Sequence, residues 1–189
     1  MDTVSFTQMA DGTAEDYAFL AKHEAEFAYA LPDRIMRALE GLRDSLAGYK
    51  IDRLTHSLQC ATRAERDGAD IDWVVSVLVH DLGDDLAPLN HDSFAAAILR
   101  PYVRDECAWV VQHHGIFQYP YYANKVGLDP DAHLKFKDHP YFDAAVKFCR
   151  DWDQASFDPD YDTYPLEHFR GMVETVFRRP AWDDAHIKA

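Results

Sequence analysis

The sequence predicts an all-α protein, a single helical bundle with a metal site in its core. Three observations carry that expectation. Apolar residues recur at helical spacing along most of the chain. The one run rich in β-branched residues, Trp73 to Val79, has no second run to pair with as a strand. Histidines and aspartates stand inside or at the ends of the apolar helical stretches, where a bundle places inward-facing ligands.

Taken in order, Thr13 is a natural N-cap with Asp16 at the third following position, and Tyr17, Leu20, Ala21, Phe27 and Ala28 form a stripe behind it. Pro32 breaks this helix. Ile35, Met36, Leu39 and Leu42 mark a second, extending to Gly48. Ile51, Leu54, Leu58 and Ala61 mark a third, closed by Gly68. Asp70 opens the next, over 71–82, which ends at Gly83. That helix is apolar all round, so it belongs at the centre of the bundle. Further helices are expected over 91–100, 102–115, 131–137, 141–156 and 165–178. The segment 116–130, with Pro120, Gly127 and Pro130, reads as loop. Neither a repeat nor a linker interrupts the chain, so residues 1–189 read as one domain.

The bulk properties narrow the function. With 48% apolar residues the chain can bury a full core. Its net charge of −14, from 33 acidic and 19 basic residues, argues against a nucleic-acid surface, which needs clustered Lys and Arg. A local pocket can still oppose that charge and take a small anion. Cys60, Cys107 and Cys149 are too scattered for a disulfide framework and read as small core residues. Met1 to Asp11 lacks the basic and apolar regions of a signal peptide, and no run reaches the ~18 apolar residues of a membrane span. A cytoplasmic, reduced protein is expected, with a small-molecule substrate, no nucleic acid, no membrane and no protein partner.

The candidate ligands are His56, His80, Asp81, His91, His114 and Asp153. Imidazole and carboxylate together suit iron, manganese, zinc or nickel. Four imidazoles and two carboxylates exceed what one ion needs if it must also bind substrate, whereas two ions sharing a carboxylate use all six. A buried helix end is a poor place for the pair His80-Asp81 without a partner. His113 and His114 lie about 100° apart on a helix, so one of them faces the site. His23, His133, His139, His168 and His186 read as hydrogen-bonded core or surface residues.

These motifs support a resemblance. His56, His80-Asp81 and the late Asp153 resemble the H…HD…D pattern of the HD-domain superfamily, and the inserted His91 and His114 resemble its two-metal members. The segment Leu54-Thr55-His56-Ser57-Leu58-Gln59-Cys60-Ala61 is similar to one branch, the mixed-valence diiron oxygenases that cleave carbon–phosphorus bonds of hydroxylated phosphonates. The likeness covers roughly residues 46–175. It implies two iron ions, Fe(II)/Fe(III), with O₂ as co-substrate. His56, His80 and Asp153 would hold one iron, His91 and His114 the other, and Asp81 would bridge them. The implied reaction is a four-electron oxidation of a 1-hydroxylated organophosphonate to a carboxylic acid and phosphate. An HD-type phosphohydrolase acting on a nucleotide or phosphomonoester is the alternative, since it needs only His56, His80, Asp81 and Asp153. A non-catalytic ligand-sensing module is the third reading.

Two departures bear on the substrate. Asp84 stands where relatives carry His or Lys, and Gln118 stands where a relative carries Lys. Arg150, three residues before Asp153, matches a substrate-side arginine and is the expected phosphonate grip. Asp81, Asp84 and Arg150 are therefore the residues expected to serve the chemistry. Asp84, Gln118, Arg150, Phe117 and Tyr119 are expected to touch substrate. With Tyr121 and Tyr122 nearby, an aromatic and acidic wall suggests a quaternary ammonium end. The expected substrate is then 1-hydroxy-2-(trimethylammonio)ethylphosphonate, and the product glycine betaine.

Overall fold

The structure is a computed structural model that describes residues 2–188. Its regular elements are all helical among the described residues. Helix α1 (Ala14–Tyr29) opens on a reciprocal capping box between Thr13 and Asp16. Pro32 does not break a long helix. It lies in the first turn of α2 (Leu31–Gly41), where a missing N–H costs nothing. Helix α2 stops at Gly41 rather than at Gly48 and passes into a 3-10 turn, Leu42–Asp44.

Helix α3 (Arg53–Arg66) is capped by Asp52, whose carboxylate accepts from Thr55 N at 2.7 Å. Helix α4 (Ile71–Val79) is capped by Asp70. The β-branched run is helical here, and Val74 to Val79 are buried, as an apolar-all-round helix requires. Helices α5 (His91–Leu99) and α6 (Asp105–Phe117) pack against one another. Beyond them the expected loop is partly helical: α7 (Tyr119–Tyr122) carries Pro120 in its first turn, and a 3-10 turn follows over Ala123–Lys125.

The stretch 131–137 forms a 3-10 helix, Ala132–Phe136. The expected helix over 141–156 is two pieces. Helix α8 (Phe142–Lys147) widens into a π-helical turn, Phe148–Asp153, in which Gln154 N donates to Cys149 O at 3.0 Å. Helices α9 (Leu166–Phe177) and α10 (Asp184–Ile187) complete the chain.

Helices α3, α4, α6 and α9 with the π turn surround one core, containing Leu54, Val75, Leu78, Val110, Phe148 and Val173. Cys60, Cys107 and Cys149 are free and buried in it. Helix α1 stands at the edge, with Phe27 66% exposed. Among the described residues, no helix is long and apolar enough to cross a membrane.

Candidate metal centre

The six candidate ligands meet below the C-terminal end of α4. His56 comes from the second turn of α3, His80 caps α4, and Asp81 begins the turn that follows. Gly83 lets that turn lie against the start of α5. A Cβ there would stand 2.7 Å from the backbone of His91, so the close approach that brings His91 inward requires glycine. His114 lies in the last turn of α6, and Asp153 ends the π turn.

Three imidazoles are oriented in the same way. The Nδ1 of His56 lies 2.8 Å from Ser156 O, that of His80 2.7 Å from Val77 O, and that of His114 2.7 Å from Val111 O. A carbonyl accepts only from N–H, so Nδ1 carries the proton and the Nε2 lone pair points inward. Such a backbone partner is the usual support behind a metal-binding histidine.

In these neutral tautomers the inward atoms face one another without protons to share. His56 Nε2 and His80 Nε2 are 3.4 Å apart, and His91 Nε2 and His114 Nε2 are 3.3 Å apart. Asp153 Oδ1 is buried without a hydrogen-bond partner, 3.3 Å from His56 Nε2 and 3.7 Å from His80 Nε2. A buried carboxylate oxygen and opposed lone pairs are costly unless a cation sits among them. The donor set therefore fits metal.

Asp81 divides its two oxygens between the imidazole pairs. Oδ2 lies 3.1 Å from His80 Nε2 and 3.3 Å from His56 Nε2. Oδ1 lies 3.4 Å from His91 Nε2 and 3.5 Å from His114 Nε2. One carboxylate thus faces two separate sets of donors. A proton competes with a cation for the inward nitrogen: burial disfavours the charged form of His80, yet the carboxylates of Asp81 and Asp153 outweigh it and raise the pKa of the metal-free imidazole well above its ordinary value. Burial likewise opposes ionisation of Asp81, but His80 and Arg53 hold its pKa well below the carboxylate range.

A cavity of about 900 Å³ opens beside these groups. Asp81, His91, His114, Asp84 and Gln118 line it, as do Tyr49, Tyr121, Tyr122 and Phe157. Gln118 also donates through Nε2 to Asp153 Oδ2. Phe157 stacks on His56 with ring centroids 4.4 Å apart, and Tyr49 stacks on Phe157 at 5.1 Å.

Several expected substrate contacts lie elsewhere. Arg150 is 59% exposed and forked onto Asp151, at 2.6 and 2.8 Å, away from the cavity wall. Phe117 is in the core, packed against Phe136 and Phe142. Tyr119 meets Tyr122 edge-on and does not line the cavity. Asp84 does line it, but as an ion-pair partner: its Oδ2 accepts from Arg53 Nε at 2.6 Å. Its other oxygen, Oδ1, lies 3.7 Å from His91 Nδ1. His113 turns away, donating from Nδ1 to Trp109 O at 2.8 Å and stacking on Trp109.

Sequence reasoning missed three neighbours. Arg53 reaches both Asp81 and Asp84. Its position three residues before His56, on the same face of α3, was the available signal. Cys60, one turn after His56, brings its Sγ to 3.6 Å from His56 Nε2 and belongs to a buried set with His56, His80 and Asp153 that could hold a metal ion. Phe157 covers His56 from an irregular segment with no helical period to expose it.

Neither a protein-family model nor a curated protein matches the chain.

Proposed function

We propose that this chain is a two-iron, O₂-dependent oxygenase that cleaves the carbon–phosphorus bond of a 1-hydroxylated organophosphonate. The observation that carries the reading is the division of Asp81, one oxygen toward His56 and His80 and the other toward His91 and His114. A single-ion hydrolase has no use for the second imidazole pair. The resemblance of the His56 segment and of the HD pair to the phosphonate-cleaving branch supplies the metal and the reaction class.

In this reading His56, His80 and Asp153 hold one iron, His91 and His114 hold the other, and Asp81 is common to both. Cys60 lies beside the first group, its Sγ 3.6 Å from His56 Nε2. The irons, when bound, supply the four-electron oxidation of the hydroxyl-bearing carbon by O₂, with carboxylic acid and phosphate as products.

The protein's own part is orientation and exclusion of water. The backbone carbonyls of Ser156, Val77 and Val111 hold the imidazole tautomers. Phe157 covers one face of His56, with Tyr49 stacked on Phe157 in turn. Gln118 fixes Asp153 through its amide N–H and presents the rest of its side chain to the cavity. Toward the mouth, Tyr49, Tyr121 and Tyr122 offer aromatic surface, with Asp44 and Asp85 adding negative charge. That lining suits the trimethylammonium end of 1-hydroxy-2-(trimethylammonio)ethylphosphonate, which gives glycine betaine and phosphate.

The test is metal analysis followed by turnover. Protein made in iron-rich medium should carry two irons per chain. It should release phosphate from the quaternary substrate only when O₂ is present. Phosphate release from a phosphomonoester without O₂, by protein holding one divalent ion, would instead establish the hydrolase.

A further inference from the structure

We propose that Arg53 receives the anionic end of the substrate, with Asp84 as its positioning residue; the inference rests on the two-metal reading above. With Arg150 exposed and held by Asp151, the phosphonate needs another cation. Among the described residues lining the cavity, Arg53 is the one Lys or Arg, set against the carboxylates of Asp44, Asp81, Asp84 and Asp85. Its side chain is only 9% exposed, so its charge acts where water screens weakly. The Tyr49 ring lies beneath the guanidinium, 5.6 Å from its centre.

The two ion pairs of Arg53 are not equivalent. Nε donates to Asp84 Oδ2 at 2.6 Å, which fixes the side chain near its base. Nη2 donates to Asp81 Oδ2, the oxygen that also faces His56 and His80. In the reading above that oxygen serves a metal ion, which takes up the negative charge Arg53 otherwise meets. Asp84 keeps its hold on Nε through Oδ2, while its other oxygen, Oδ1, faces His91 Nδ1 at 3.7 Å. The Nη donors are then available at the wall of the cavity, beside the groups that bind metal. A guanidinium anchored through Nε presents the planar fork that matches two phosphonate oxygens. Metal therefore completes the anion site as well as the redox centre. This also accounts for an acid at position 84: it holds the arginine in place of offering a donor itself.

The test uses iron-loaded protein and inorganic phosphate as the probe. Iron per chain and phosphate affinity, by titration calorimetry, are measured for wild type, Arg53→Met, Arg53→Lys and Asp84→Asn. The expectation is two irons in all four. Phosphate binding should weaken about ten- to a hundred-fold in Arg53→Met, the range for removing a charged hydrogen-bonding partner. Arg53→Lys should fall between that variant and wild type, and Asp84→Asn should weaken binding several-fold through the loss of the anchor. Wild-type phosphate affinity in Arg53→Met with both irons retained would overturn the proposal alone. Loss of iron from Arg53→Met would overturn it differently, by showing that Arg53 serves Asp81 and not the substrate. Wild-type protein that takes up no second iron would overturn the two-metal reading, and this inference with it.

Discussion

Asp72 and Asp153 are both buried carboxylates, and their surroundings are opposite. Asp72, in the first turn of α4, is filled with protons. Its Oδ1 accepts from Arg179 Nη1 at 2.6 Å and its Oδ2 from Arg104 N at 3.1 Å. Asp16 is satisfied in the same way by the N–H and hydroxyl groups of Ser5 and Thr13. Asp153 Oδ1 has no donor, and faces imidazole nitrogens whose protons are on the far side of the ring. Burial and charge are alike in the two regions. What separates a structural acid from a candidate metal ligand here is whether the neighbouring atoms bring protons or lone pairs.

The largest effect should come from the carboxylate shared between both groups of donors. Asp81→Ala should reduce bound metal from two ions per chain to less than one and abolish turnover. It removes an oxygen from each set and, on the two-metal reading, would leave two close cations without an anion between them. Metal analysis of the purified variant checks this, and two retained ions would remove Asp81 from the bridging role. His91→Ala and His114→Ala should be milder in metal content, leaving about one ion per chain, while still losing oxidation. If either variant keeps both ions and full activity, the second site does not exist.

Much of this contrast was legible in the sequence, and the parts that were not have physical reasons. The six candidate ligands fall in short motifs whose polar residues interrupt apolar helical runs, which marked them out, while their pairing and the choice of His114 over His113 rested on the resemblance. Arg150 was expected at the site because, three residues before Asp153, it matches a substrate-side arginine of the family the sequence resembles. The chain is π-helical there, and its wider turn rotates residues 150 and 153 apart. Arg53 was passed over because one arginine at a helix start resembles any solvated side chain; only the fold brings Asp81 and Asp84 to it. Phe117 and Tyr119 were read as one aromatic wall with Tyr121 and Tyr122. The helix runs on through Phe117 and turns that ring into the core instead.

Asp72→Ala tests the structural side of the comparison. It leaves the half-buried Arg179 and the Arg104 backbone without their acceptor. Stability should fall by about 3 kcal/mol, the lower end for breaking a buried pair. Metal content should stay at two ions per chain. Denaturant unfolding with parallel metal analysis separates the outcomes, and a variant that loses metal without losing stability would reverse the assignment.

Acidity should act on the metal centre in a direction set by metal binding. In metal-free protein the raised pKa of His80 gives stability that is present below the unfolded imidazole pKa and lost as pH rises through the folded one. Metal binding needs the same imidazole without its Nε2 proton, so it strengthens as pH rises. The difference in melting temperature between iron-loaded and chelator-treated protein should therefore widen from pH 5 to pH 8. A difference that stays constant over that range would mean the imidazoles do not exchange protons for metal.

Asp16 should give the smallest effect and the opposite sign. Hydrogen bonds from the backbone N–H groups of Ser5 and Thr13, and from both hydroxyls, hold its carboxyl pKa well below the ordinary value. A depressed pKa gives stability that is fully present above the unfolded carboxylate value and lost as pH falls through the folded one. Asp16→Asn keeps the shape of the capping box but not its charge. Its melting temperature should lie a few degrees below wild type at pH 7, and the gap should narrow as the pH falls below about 4, where the unfolded carboxylate takes up its proton while the folded one still resists it. Metal content should be the same in both proteins at pH 7. Because Asp16 is tied to the N-terminal segment and to edge helix α1, a gap that persists unchanged into acid would mean the side chain acts through its hydrogen-bond geometry alone and that its charge adds nothing.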